Sequence, residues 1–139
     1  MDPTTIAPLN KRTPLLSNLN NLENIALIKE IHEHLATEKA QALAMEAFLR
    51  IGYEKIARNR SAECNAEGRF ITQLIRATMV QYAKIIITTP FVLLDDAREI
   101  TFFLDLFAKL NISERVIILD MQTNRLKYEE GGSQCHIVT

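Results

Sequence analysis

The chain has 139 residues and a mass of 15.8 kDa, with 47% hydrophobic and 24% charged residues but only four glycines and four prolines. This composition belongs to one compact domain and excludes a disordered, collagenous or repeat-built chain. Seventeen acidic and sixteen basic residues leave a formal net charge of -1, which excludes a nucleic-acid binder working through bulk positive charge.

Cys64 and Cys135 are far apart and belong to no CxxC or Cys/His spacing. Neither a disulfide framework nor a zinc site is expected, and a reducing, cytoplasmic setting is. Residues 1–20 lack the apolar stretch of a signal peptide. No uncharged run exceeds ten residues, and the most apolar of them, residues 85–94, contains Pro90 and falls well short of the about 20 apolar residues that span a bilayer, so no membrane association is predicted.

Residues 1–20 hold three of the four prolines and show no apolar period, which predicts an extended N-terminal arm. Its apolar residues Ile6, Leu9, Leu15 and Leu16 are expected to dock against a partner. Residues 21–139 are read as a single helix-rich domain. Leu22, Ile25 and Ile28, then Leu43, Ala47 and Ile51, recur at helical spacing. One helix across residues 21–60 would reach roughly 57 Å at 1.5 Å per residue, so two helices are expected, with Thr37 as N-cap of the second. A polar connector at residues 61–68 precedes a third helix over residues 69–84 with Phe70, Leu74 and Ala77 in its stripe.

Residues 85–94 carry two signals. The β-branched run favours a strand, while Thr89-Pro90 suits the start of a helix. Asp96 and Glu99 form a predicted capping box that opens a helix over residues 97–110, buried through Ile100, Phe103, Phe107 and Leu110. Residues 116–119 read as a strand that turns near Asn124 and returns as a hairpin at residues 126–128. The fold class expected from these elements is α+β, mostly antiparallel helices with a small C-terminal β element. The alternative is a minimal α/β unit in which residues 85–94 and 115–120 are parallel strands.

Two apolar runs end in acid, at Asp95 and Asp96 and at Asp120. At the carboxyl ends of parallel strands these groups would sit where open α/β sheets hold nucleotides or Mg2+. Neither GxxxxGK[ST] nor GxGxxG is present, and helix capping alone accounts for Asp95 and Asp96. Glu30, His34 and Glu38 share a helix face, but no second ExxH and no HExxH accompany them, so no metal site is predicted. Cys64 lies in the polar connector, open to solvent but with no patterned base, and no GxSxG occurs. Arg50, Lys55, Arg58, Arg60 and Arg69 cluster near the end of the second helix, where the macrodipole favours cations and a nucleic-acid contact is conceivable.

The surplus of apolar surface, with Phe102 beside Phe103 and the leucine-bearing arm, leads to the main expectation. That expectation is a cytoplasmic, non-enzymatic interaction or assembly subunit, an adaptor without cofactor that binds another protein or a second copy of itself. One alternative is a small metal- or nucleotide-dependent enzyme at Asp95, Asp96 and Asp120. The other is a nucleic-acid-associated regulator acting through Arg50, Lys55, Arg58, Arg60 and Arg69.

Overall fold

The computed structural model describes residues 5–94 and 98–138. Three strands, β1 (Ile6–Leu9), β2 (Lys84–Thr88) and β3 (Val116–Leu119), form one parallel sheet in the order β1-β2-β3. Between β1 and β2 run α1 (Asn21–Glu33), α2 (Thr37–Ile51) and α3 (Ala66–Thr78). Between β2 and β3 run α4 (Pro90–Leu94) and α5 (Ile100–Lys109), and α6 (Arg125–Glu129) follows β3.

This is an α/β fold, and it corrects the expectation of antiparallel helices with a small C-terminal β element. The arm supplies the missed strand: β1 is four residues long and contains Pro8, so it carries almost no periodicity of its own. At an edge of the sheet, Pro8 needs no ladder partner for its missing N–H. Residues 85–94 obey both of their signals in turn, with β2 ending at Thr88 and α4 starting at Pro90. No hairpin follows β3. The chain leaves the sheet at Asp120 and passes through the 3-10 turn Gln122–Asn124 into α6.

The two-helix division of residues 21–60 is observed, but Thr37 is the first helical residue of α2 and Ala36 is its N-cap, with no side-chain cap bond. Asn20 caps α1 through a full capping box with Glu23. The third helix begins earlier than expected because Asn65 caps it, accepting from the Gly68 N–H at 2.9 Å. The predicted capping box at Asp96 lies outside the described residues, and α5 starts at Ile100.

Strand register sorts side chains onto two unlike faces. Ala7, Ile85 and Val116 lie side by side, as do Leu9, Ile87 and Ile118. Ala7, Leu9, Ile85 and Ile87 are buried in one apolar cluster with Ile25, Phe48, Leu74 and Phe103, and Val116 and Ile118 pack against it. Phe103 meets Phe70 and Phe91 edge to face, with ring centroids 5.4 and 5.1 Å apart. On the other face stand Ile6, Pro8, Ile86, Ile117 and Leu119, of which Ile6 is 57%, Ile117 45% and Leu119 53% exposed.

The arm is tied down polar group by polar group. Gln73 of α3 donates to the Thr13 carbonyl at 2.9 Å, and the Arg76 guanidinium donates to the carbonyls of Thr13 and Pro14. Asn24, buried on α1, accepts from the Leu16 N–H at 2.8 Å and donates to the Leu16 carbonyl. Arg115 fastens the start of β3 by donating to the carbonyls of Ala83 and Val80 at 3.0 and 2.8 Å.

The two-faced sheet makes a direct stability prediction. Ile87→Ala, on the buried face, is expected to cost about 2–5 kcal/mol in urea denaturation, and Ile117→Ala, one register position away on the open face of the neighbouring strand, less than about 1 kcal/mol. Equal losses at the two positions would contradict the assignment of faces.

Candidate functional site at the carboxyl edge of the sheet

In parallel sheets the groups that meet ligands gather where the strands end. Here β1 runs into Asn10 and Lys11, β2 into Thr89 and Pro90, and β3 into Asp120. Thr89 occupies the left-handed region at φ 47°, unusual for a β-branched residue. Its N–H donates to the Leu119 carbonyl at 2.8 Å, which holds the end of β2 against the end of β3.

Asp120 is the one acid of the predicted ligand set among the described residues; Asp95 and Asp96 lie outside them. Its Oδ1 accepts from the Met121 N–H at 2.7 Å and from Asn124 Nδ2 at 2.9 Å, and its Oδ2 accepts from the Tyr128 hydroxyl. The carboxylate is thereby engaged in fastening α6 to the end of β3. Burial, reinforced by the hydrogen bond and charge of Asp120, raises the Tyr128 phenol above its ordinary value. Tyr128 also meets Phe91 edge to face at 5.6 Å, and the Lys127 ammonium lies 4.3 Å from the centre of the Phe91 ring.

A cleft of about 230 Å3 opens beside the carboxyl end of β1. Asn10, Lys11 and Leu15 of the arm form one wall, Ser61 with Arg69 and Gln73 of α3 another, and Val92 and Leu93 of α4 close it. Among the described residues Lys11 and Arg69 line it and no acidic side chain does, so their contribution to its charge is positive although the chain as a whole is nearly neutral. A larger cleft, about 610 Å3, follows β3 and is mainly apolar, with Leu104, Phe107, Ile118 and Leu119 in its walls.

The sequence-predicted cations disperse. Arg50 pairs with Glu46 at 2.9 Å on α2, Lys55 lies in the 3-10 turn Glu54–Ile56, and Arg58 and Arg60 are exposed between that turn and the connector. Arg69 alone of the five lines the cationic cleft. Of the partner-docking set, Leu9 and Leu15 are buried within their own domain, while Ile6 and Leu16 are exposed. Phe102 is half-buried against Phe103, with the Arg98 guanidinium 4.5 Å from its ring centre. Cys64 is buried rather than solvent-facing, with Asn21 Nδ2 3.4 Å from its sulfur, and burial raises the Cys135 thiol. Among the described residues no three His, Cys, Asp or Glu side chains group as a metal site.

Lys11, Asn10 and Gln73 were missed because their meeting depends on the arm joining the sheet. The only local signal was the polar pair Asn10-Lys11 directly after an apolar run.

No family model and no curated protein matches this chain. Its fold is similar to a solved structure described as a dimeric post-hydrolysis state of the ATP-binding cassette MJ0796 bound to ADP and Pi. The TM-score is 0.66 at 17% identity, over 91% of this chain and 56% of that one. The chain thus spans a little over half the length of this neighbour. The shared α/β architecture overturns the expectation of a non-enzymatic helical adaptor or assembly subunit, which rested on antiparallel helices with surplus apolar stripes. No helix among the described residues is long and apolar enough to cross a membrane.

The Asp120 latch has an alkaline signature. Tyr128 keeps its proton in the folded state to higher pH than in the unfolded chain, where it ionises near about 10. Its contribution is therefore complete below that pH and is lost as pH rises through it and beyond. Tyr128→Phe is expected to lower stability by about 1–2 kcal/mol at neutral pH and to flatten the decline between about pH 10 and 11.5 in denaturation curves. A variant whose alkaline decline matches the parent's would refute this role.

Proposed function

We propose that this chain acts in the cytoplasm as part of a nucleotide-binding module, taking the polyphosphate of a nucleotide at the carboxyl edge of its parallel sheet. The observation that carries this reading is the cleft between the end of β1, α3 and α4, with Lys11 and Arg69 in its walls and no acid among the described residues that line it. Phosphate oxygens are recognised by such cations through charge-assisted hydrogen bonds, and Ser61, Asn10 and Gln73 add polar groups around them. The likeness to a cassette solved with ADP and Pi supports the same class of ligand.

Of the three acids in the alternative reading, Asp95 and Asp96 lie outside the described residues. Asp120 is occupied by Met121, Asn124 and Tyr128, so the described residues do not fit a carboxylate-held divalent cation. Phosphate binding on this chain is assigned to side-chain cations instead.

In thermal-shift measurements at low salt, ATP and ADP with Mg2+ are each expected to raise the melting temperature by roughly 3 °C or more at saturation. Lys11→Ala combined with Arg69→Ala removes that rise; both residues are exposed and the fold is retained, with Arg69→Ala giving up one hydrogen bond to the Cys64 carbonyl. Raising the salt concentration weakens binding, because partly exposed charges are screened. Absence of any shift up to millimolar nucleotide, or a shift indifferent to both substitutions, overturns this reading.

A further inference from the structure

Helices crowd one face of this sheet; on the other, among the described residues, Ile6, Ile117 and Leu119 are exposed, Ile117 and Leu119 lining with residues 134–138 the cleft that follows β3. Register places Ile6 beside Lys84, Pro8 beside Ile86 and Ile117, and Thr88 beside Leu119 on that open face. Parallel sheets are almost always covered on both faces, and near-continuous apolar runs are the composition of strands so covered. Both Ile85-Ile86-Ile87 in β2 and Val116-Ile117-Ile118-Leu119 in β3 are such runs. An alternating strand built to face water would carry polar residues where Ile86, Ile117 and Leu119 stand.

We infer that a second copy of this chain covers the open face, sheet against sheet, with the strands of the two copies running antiparallel across the interface. Area and charge both support this occupant. The exposed parts of Ile6, Pro8, Ile117, Leu119 and neighbouring Met121 give roughly 500 Å2 of apolar surface per copy, in the range that marks interaction sites. Two copies then bury on the order of 1,000 Å2, the size at which specific interfaces begin.

Lys84 is the single charged side chain on the outward positions of the three strands, and it lies at the amino end of β2. A two-fold axis perpendicular to the strands carries the two lysines to opposite ends of the interface, each across from Thr88 of the other copy. Like charges therefore do not meet, whereas a parallel arrangement would bring them together. The result is a four-layer particle, helices outside and two sheets stacked about 10 Å apart within. Edge-to-edge pairing through β3 is disfavoured because it leaves Ile117 and Leu119 facing water.

Sedimentation equilibrium of the full chain in nucleotide-free buffer, from about 1 to 200 µM, tests this. The expected result is a reversible monomer–dimer system with a dissociation constant in the micromolar range, as befits a minimal interface. Ile117→Glu and, separately, Leu119→Lys should each weaken it at least about tenfold while leaving the far-ultraviolet circular dichroism unchanged, since both side chains are already exposed. Leu16→Glu, exposed on the arm and away from this face, should leave association intact. A monomer throughout the range overturns the inference, and so does a dimer that survives Ile117→Glu or that Leu16→Glu dissociates. No nucleotide enters the measurement, so its failure is separate from any failure of phosphate binding.

Discussion

The lateral line Leu9, Ile87 and Ile118, running across three parallel strands, is the constraint on which the rest depends. These residues come from the arm, the middle and the last third of the chain. Each is too short a piece to be stable alone, since β1 has four residues, β2 five and β3 four. Their shared burial against Phe48, Leu74 and Phe103 converts three marginal strands into a sheet. Parallel pairing then requires long crossovers, and the helices of both connections meet that need on a single side.

Because all three strands point the same way, their carboxyl ends open onto one edge, and this concentrates chemistry there. The Thr89 N–H closes onto the Leu119 carbonyl, Asp120 turns the chain into α6 through three hydrogen bonds, and Lys11 is delivered beside Arg69. The acid at the end of β3 is engaged in the turn into α6, and the cations line the cleft beside β1. Arg76 and Gln73 have a supporting part: by gripping the carbonyls at Thr13 and Pro14 they hold the arm, and with it Lys11, on the wall of the cleft.

The two faces of the sheet are unequal: Leu9 and Ile87 are buried on one, while Ile6, Ile117 and Leu119 are exposed on the other. The likeness to the solved cassette extends over nearly all of this chain but only 56% of the other. An open apolar face on a parallel sheet is an incomplete layer, and covering it removes Ile117 and Leu119 from water. That face is separate from the cleft holding Lys11 and Arg69, which lies at the ends of the strands.

The sequence by itself determined the elements with strong local signals. The division of residues 21–60 into two helices, the stripe of Ile100, Phe103 and Phe107, and the strand at residues 116–119 were all legible, because each follows from period and side-chain type within a few turns of chain. So was the absence of the two glycine-rich phosphate loops from these 139 residues. Only the tertiary structure decided that the proline-bearing arm is a strand, that the sheet is parallel, and that Asp120 is a latch. Those outcomes rest on contacts between residues far apart in the chain, such as Leu9 with Ile87 or Thr13 with Arg76, and periodicity within one segment carries no record of which distant segment it will meet.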